Sequence, residues 1–157
     1  MPTKRVILSL LARIYDLLGL LTSFTVLAKC LFQEMWALKL EWDDVLPDDA
    51  AELFCIWMEG CRKLQKVKVG RCFTALSETD WSSLTDLELH VFADASPKAY
   101  GSCVYLRIKQ PDGSYRVSFV MSRSRVAPLR QRLSLPRLEL MACLVAAKLV
   151  RFVRDAL

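Results

Sequence analysis

The sequence predicts an α+β chain in which helices come first and an antiparallel sheet with one packed helix follows. Apolar residues recur at helical spacing through roughly the first 65 positions. From Leu87 the spacing changes to strict alternation, with a strong turn signal between two later alternating stretches. A last apolar helix closes the order strand, strand, strand, helix. With 157 residues, 54% of them apolar, the chain can bury a sizeable core.

Each element has a local reason. Thr3 can cap a first helix running through Arg13 to Asp16, with Val6, Ile7, Leu10, Leu11 and Ile14 on one face and Gly19 as breaker. A second helix is expected over residues 24–40, with Val26, Leu27, Leu31, Met35 and Leu38 as its buried stripe. Pro47, followed by Asp48 and Asp49, opens a third, whose apolar face is Ala51, Phe54, Cys55, Met58 and Cys61. Residues 66–69 alternate as a short strand, and residues 77–85 form a polar connector. The boundary is placed there, giving a helical region over 1–80 and a second region over 81–157.

In the first strand of the second region, Leu87, Leu89, Val91 and Ala93 face one way, and Glu88, His90, Phe92 and Asp94 the other. Residues 100–108 and 115–121 form a hairpin around Gln110-Pro111-Asp112-Gly113-Ser114. Ser134 and Pro136 start the final helix, which runs to about Asp155 and is apolar nearly all round in its middle.

Composition excludes several classes. The longest uncharged stretch, residues 17–28, has 12 residues, short of the roughly 20 a membrane-spanning helix needs. Arg13 and Asp16 interrupt any secretory-type apolar region. Six cysteines show no CxxC and no Cys/His cluster, which argues against zinc and for buried free thiols in a reducing, intracellular compartment. Net charge is +5, but unevenly spread: Glu41 to Glu52 is acidic, while Arg116 to Arg137 holds six arginines and no carboxylate. Such a tract suits a phosphate-bearing partner, or else a solvated loop and strand edge.

Two carboxylates stand out. Asp94 ends an apolar strand in Phe92-Ala93-Asp94-Ala95-Ser96, and Glu139 lies in the first turns of an apolar helix. A carboxylate beside buried surface is costly unless paired or bound to metal. If the last helix crosses the first strand, both converge at one sheet end, where hard oxygen donors suit Mg²⁺. The plainer alternatives are that Asp94 caps its own backbone before Pro97 and that Glu139 complements the helix dipole.

The run Ala12-Arg13-Ile14-Tyr15-Asp16-Leu17-Leu18-Gly19, then Gln33-Glu34-Met35-Trp36, Leu40-Glu41-Trp42-Asp43, Phe92-Ala93-Asp94-Ala95-Ser96, Ser124-Arg125-Val126-Ala127-Pro128 and Leu135-Pro136-Arg137-Leu138-Glu139-Leu140 resembles the polyprotein of BEL/Pao-type retrotransposons over nearly the whole chain. It departs from the family at Leu17, where proline is common. The resemblance implies a reverse-transcriptase thumb or connection region, followed by the N-terminal part of a ribonuclease-H-like domain. It matches Asp94 and Glu139 to that fold's metal-binding, catalytic Asp and Glu, and Ser134 to its helix cap. It also implies cleavage of RNA in RNA–DNA hybrids with Mg²⁺ or Mn²⁺, and expects the metal only in the complete domain. Arg123, Arg125, Arg130 and Arg132 become phosphate contacts to the hybrid, and the rest of the polyprotein a partner. The fold's later carboxylates are not in this sequence, so the chain alone is expected to show little or no nuclease activity.

Two further readings stand beside this one. The family also carries a peptidase name, but Asp94-Ala95-Ser96 is not the Asp-Thr/Ser-Gly of aspartic peptidases, and no such triplet occurs. Alternatively the helical half is a non-catalytic docking module presenting Trp36, Trp42 and Trp57, against the plainer expectation that these rings are core.

Overall fold

A computed structural model describes residues 2–64, 66–70, 73, 86–110 and 112–156. Its element order is α1 (Lys4–Ala12), α2 (Thr22–Ala37), α3 (Asp48–Leu64), β1 (Leu87–Ala95), β2 (Ala99–Lys109), β3 (Tyr115–Val126) and α4 (Leu135–Ala156). The α+β class and the three-stranded antiparallel sheet with one packed helix are as the sequence predicts.

Thr3 caps α1, its side chain accepting from the Val6 N–H. The helix stops at Ala12, short of the expected Asp16. The α2 stripe is also shifted. Thr25, Ala28, Leu31 and Met35 are buried, whereas Leu27 and Leu38 are exposed. Because α2 is apolar almost all round, its own pattern does not select a face. The selection comes from Ile7, Phe54 and Trp57, which share one core cluster with Ala28, Leu31 and Met35.

In α3, Asp48 and Asp49 sit at the positive end of the helix and Arg62 and Lys63 at the negative end. Its buried residues are Ala50, Phe54 and Trp57, while Cys55 is exposed. Trp57 is core: it stacks on Phe24 at 5.2 Å and donates its indole N–H to the Phe24 carbonyl. Trp36 and Trp42 are not core, being 49% and 36% exposed.

Residues 66–69 form no strand. Val67 and Val69 are exposed, and alternation yields a strand only where one face is buried or a neighbour completes the ladder. The expected connector at 77–85, and the boundary with it, lie outside the described residues.

The sheet order is β1-β2-β3. β2 alternates without a break: Tyr100, Ser102, Val104, Leu106 and Ile108 are buried and their neighbours are not. The α4 residues Leu138, Ala142, Leu149 and Val153 cover that face. The hairpin turn forms as expected. Gly113 takes φ +83°, and Asp112 accepts from both the Ser114 N–H and its hydroxyl. β3 runs five residues past the expected Met121, to Val126. Arginines end an apolar pattern but not a hydrogen-bonded ladder, and Arg123 and Arg125 pair with Ser102 and Tyr100.

The helical half docks on the outer edge of β3. Ser122 donates its N–H to the Leu18 carbonyl at 2.9 Å and its hydroxyl to the Gly19 carbonyl at 2.6 Å. Gly19 sits at φ +74°, and a Cβ there would lie 2.1 Å from the Ser122 carbonyl oxygen. Gly19→Ala should therefore cost about 2 kcal/mol or more, from strained backbone and lost docking together. Urea denaturation monitored by tryptophan fluorescence would measure it, and an unchanged midpoint would contradict this docking geometry.

Candidate metal and nucleic-acid site

Asp94 stands opposite Gly101, which in turn stands opposite Ser124. Alternation puts this row on the face bearing Phe92, Cys103 and Tyr105, away from α4. Gly101 is needed: a Cβ there would come within 2.7 Å of the Arg123 carbonyl oxygen. The row lines an open cavity of about 660 Å³ whose far wall is Gly19, Thr22, Ser23 and Val26. Docking of the helical half on β3 thus walls one side of the space in front of Asp94.

Asp94 is exposed, and its Oδ1 accepts the Ala95 N–H at 2.8 Å. The local capping role open to it from sequence is therefore filled, with Oδ2 left over. Ser96, not Asp94, builds the turn into β2. Its N–H and hydroxyl donate to the Ala99 carbonyl, and its Oγ accepts from the N–H groups of Lys98 and Ala99.

Glu139 is exposed on α4. Its neighbour Leu138 packs in one cluster with Tyr100 and Ala95, and Ala95 adjoins Asp94. The two carboxylates thus share an end of the sheet but rise from opposite sides of β1. Any ion common to both has to sit at the rim, where the edge strand ends, and not on either face. Exposed carboxylate oxygens fit a hard, hydrated divalent cation. Among the described residues no group of three or more His, Cys, Asp or Glu forms a metal-holding cluster.

Sequence reasoning missed Ser124 as a member of this row. Its buried Oγ has no hydrogen-bond partner among the described residues. A serine between two arginines carries no signal, and only the strand register sets it across Gly101 from Asp94.

The four arginines do not form a single row. Arg123 and Arg125 are exposed on β3, by register on the α4 side of the strand, and Arg123 also borders the Asp94 cavity. Arg130 and Arg132 are exposed in the loop before α4 and border a second cavity. None of the four forms an ion pair with another described residue.

A family model described as Pao retrotransposon-like RNaseH-like domain matches residues 3–157. The chain belongs to this family. No curated protein and no solved structure matches it. The resemblance drawn from the short motifs is thereby confirmed, and the match runs through the helical half as well as the sheet. No helix of this Pao-like domain is long and apolar enough to cross a membrane, among the described residues. Cys30, Cys55, Cys61, Cys103 and Cys143 are free thiols. The expectation that the cysteines are buried is not met by these five: Cys30, Cys61 and Cys103 are half-buried and Cys55 and Cys143 exposed, while Cys72 lies outside the described residues. Burial raises the pKa of Cys30, Cys61 and Cys103.

His90, on the Asp94 side of β1, is engaged locally. Its Nε2 lies 2.9 Å from Glu88, which also accepts from Arg107 at 2.8 Å. Hydrogen bonds from His90, then Arg107, lower the Glu88 pKa. A depressed folded-state pKa means the group stabilises the fold above the ordinary carboxylate range, roughly pH 4, and stops doing so as pH falls through the lowered value. The melting temperature of Glu88→Gln should therefore lie below that of the parent chain at neutral pH, and the gap should shrink as pH falls below the ordinary carboxylate range. Melting curves taken at pH 7, 5 and 3 would show this, and a gap that widens on acidification would contradict it.

Proposed function

We propose that this domain binds RNA–DNA hybrid and contributes to metal-assisted hydrolysis of its RNA strand. The supporting observation is the match to an RNaseH-like family together with the position of Asp94 and Glu139 at one sheet end. In this reading the two carboxylates hold Mg²⁺ or Mn²⁺ at the rim of β1. The ion, when bound, supplies Lewis acidity at the scissile phosphodiester. Asp94 offers Oδ2 while the Ala95 N–H fixes Oδ1, so the carboxylate is oriented before the ion arrives. Arg123, Arg125, Arg130 and Arg132 hold the hybrid backbone through charge, without reading sequence. Residues 1–80 act as the connection from a polymerase region, and the whole as one segment of a retroelement polyprotein. Peptidase chemistry needs a second aspartate paired with Asp94, and neither row neighbour, Gly101 or Ser124, can serve.

Mn²⁺ titrated into isotope-labelled protein should broaden the amide signals of both Ala95 and Leu138 by paramagnetic relaxation. Asp94→Asn and Glu139→Gln should each weaken that binding about tenfold. Binding that either variant leaves unchanged would remove the shared site. For the hybrid, the slope of log affinity against log salt should fall by roughly 3 to 4 when all four arginines become alanine. A slope that stays put would assign the phosphate contacts elsewhere.

A further inference from the structure

The second cavity, about 1050 Å³, lies between the C-terminal half of α2, the β1–β2 turn and the loop joining β3 to α4. Its walls are tied together. Gln33 Nε2 donates to the Ala127 carbonyl at 2.6 Å, the Ala127 N–H donates to the Lys98 carbonyl at 2.8 Å, and Lys98 Nζ pairs with Glu34 at 3.3 Å. Lys98 and Glu34 nearly cancel each other, which leaves Arg130 and Arg132 to set a positive field on the groove.

Trp36 borders the same groove and is 49% exposed. The ring is nevertheless fixed. Phe32 and Trp42 meet it edge-on at 6.3 and 5.6 Å. Lys4, only 2% exposed, holds its ammonium 3.9 Å from the ring centroid. A buried cation occupies one side of the indole, and the half-exposed ring borders the groove. An aromatic ring already held in place loses little freedom when a ligand stacks on it.

A fixed, half-exposed tryptophan beside two arginines without ion pairs among the described residues matches what single-stranded nucleic acid requires. Bases stack on the ring and phosphates meet the cations. A duplex keeps its base faces stacked on one another and offers none to Trp36 along its length. We infer that this groove binds a single-stranded nucleic-acid segment, with a base on Trp36 and neighbouring phosphates on Arg130 and Arg132. The inference rests on the nucleic-acid reading above and shares those two arginines with it, but it needs neither metal nor hybrid.

The test uses the 157-residue chain, a fluorescent oligo(dT) of about 12 nucleotides and, separately, an RNA–DNA hybrid. Trp36→Ala should weaken oligo(dT) binding about tenfold or more and leave hybrid affinity unchanged. Trp36→Phe, which keeps a ring, should restore most of the affinity and guards against a folding defect in the alanine variant. Unlabelled oligo(dT) should quench part of the tryptophan emission of the parent chain, and that part should vanish in Trp36→Phe. Absence of quenching, equal quenching in Trp36→Phe, equal loss of both nucleic acids in Trp36→Ala, or equally strong competition by polyglutamate would each overturn the proposal. Loss of hybrid binding with oligo(dT) binding intact would sink the hybrid reading alone.

Discussion

The architecture depends on how the outer edge of β3 is satisfied. An edge strand presents unpaired N–H and C=O groups, and those groups need partners or protection. On one side β3 is paired along its length with β2. On the other, at Ser122, the partners are carbonyls from a turn, Leu18 and Gly19, and not another strand. This contact is possible only because Gly19 adopts a positive φ and has no Cβ to strike the Ser122 carbonyl. The turn is itself held from behind, since Asp16 accepts the Leu21 N–H at 2.8 Å. This short turn fixes the start of α2 against the sheet, and Gln33 and Glu34 tie its far end to Ala127 and Lys98. Both cavities follow from this placement, because α2 walls the Asp94 space with its first turns and the Trp36 groove with its last.

The same alternation that makes a good sheet also constrains the chemistry. Side chains on β1 leave in opposite directions at each step, so Asp94 and Ala95 cannot face the same layer. Ala95 is the one that meets α4. Asp94 must then look outward, and Glu139 can join it only past the end of the strand. Under the function proposed above, a rim site of this kind would stay wet and open, as an ion that keeps several of its own waters requires. It also explains why neither carboxylate needs a buried partner, since both remain exposed.

How much was legible in the sequence depended on whether a signal was local. The β2 alternation, the Asp112–Gly113 turn and the extent of α4 are each specified by residues a few positions apart, and each appears where its pattern says. Gly19 was legible as a helix breaker, but its partner Ser122 is 103 residues away and nothing local marks the pair. The α2 stripe was misplaced because a helix apolar on most sides takes its orientation from its neighbours. The last five residues of β3 were missed because arginine on an exposed edge strand looks like loop. For the site, Asp94 and Glu139 were picked out as costly carboxylates in apolar settings, but that cost is absent, because both are exposed. Ser124 and the Trp36 groove were not legible, since each exists only through register or through packing between distant elements.

Lys4 shows how such long-range packing controls the surface. A lysine at the start of a helix opposes the dipole, and one that is 2% exposed also gives up most of its hydration. Three contacts compensate: a hydrogen bond to the Leu40 carbonyl, the face of Trp36 at 3.9 Å and the face of Trp42 at 5.0 Å. The contact with Trp36 would be lost if that ring turned inward to become ordinary core. The buried charge therefore acts with Phe32 and Trp42 to hold the half-exposed indole in place. A neutral, similarly shaped residue at position 4 would relieve the charge, and with it one of the contacts that hold the ring where the groove needs it.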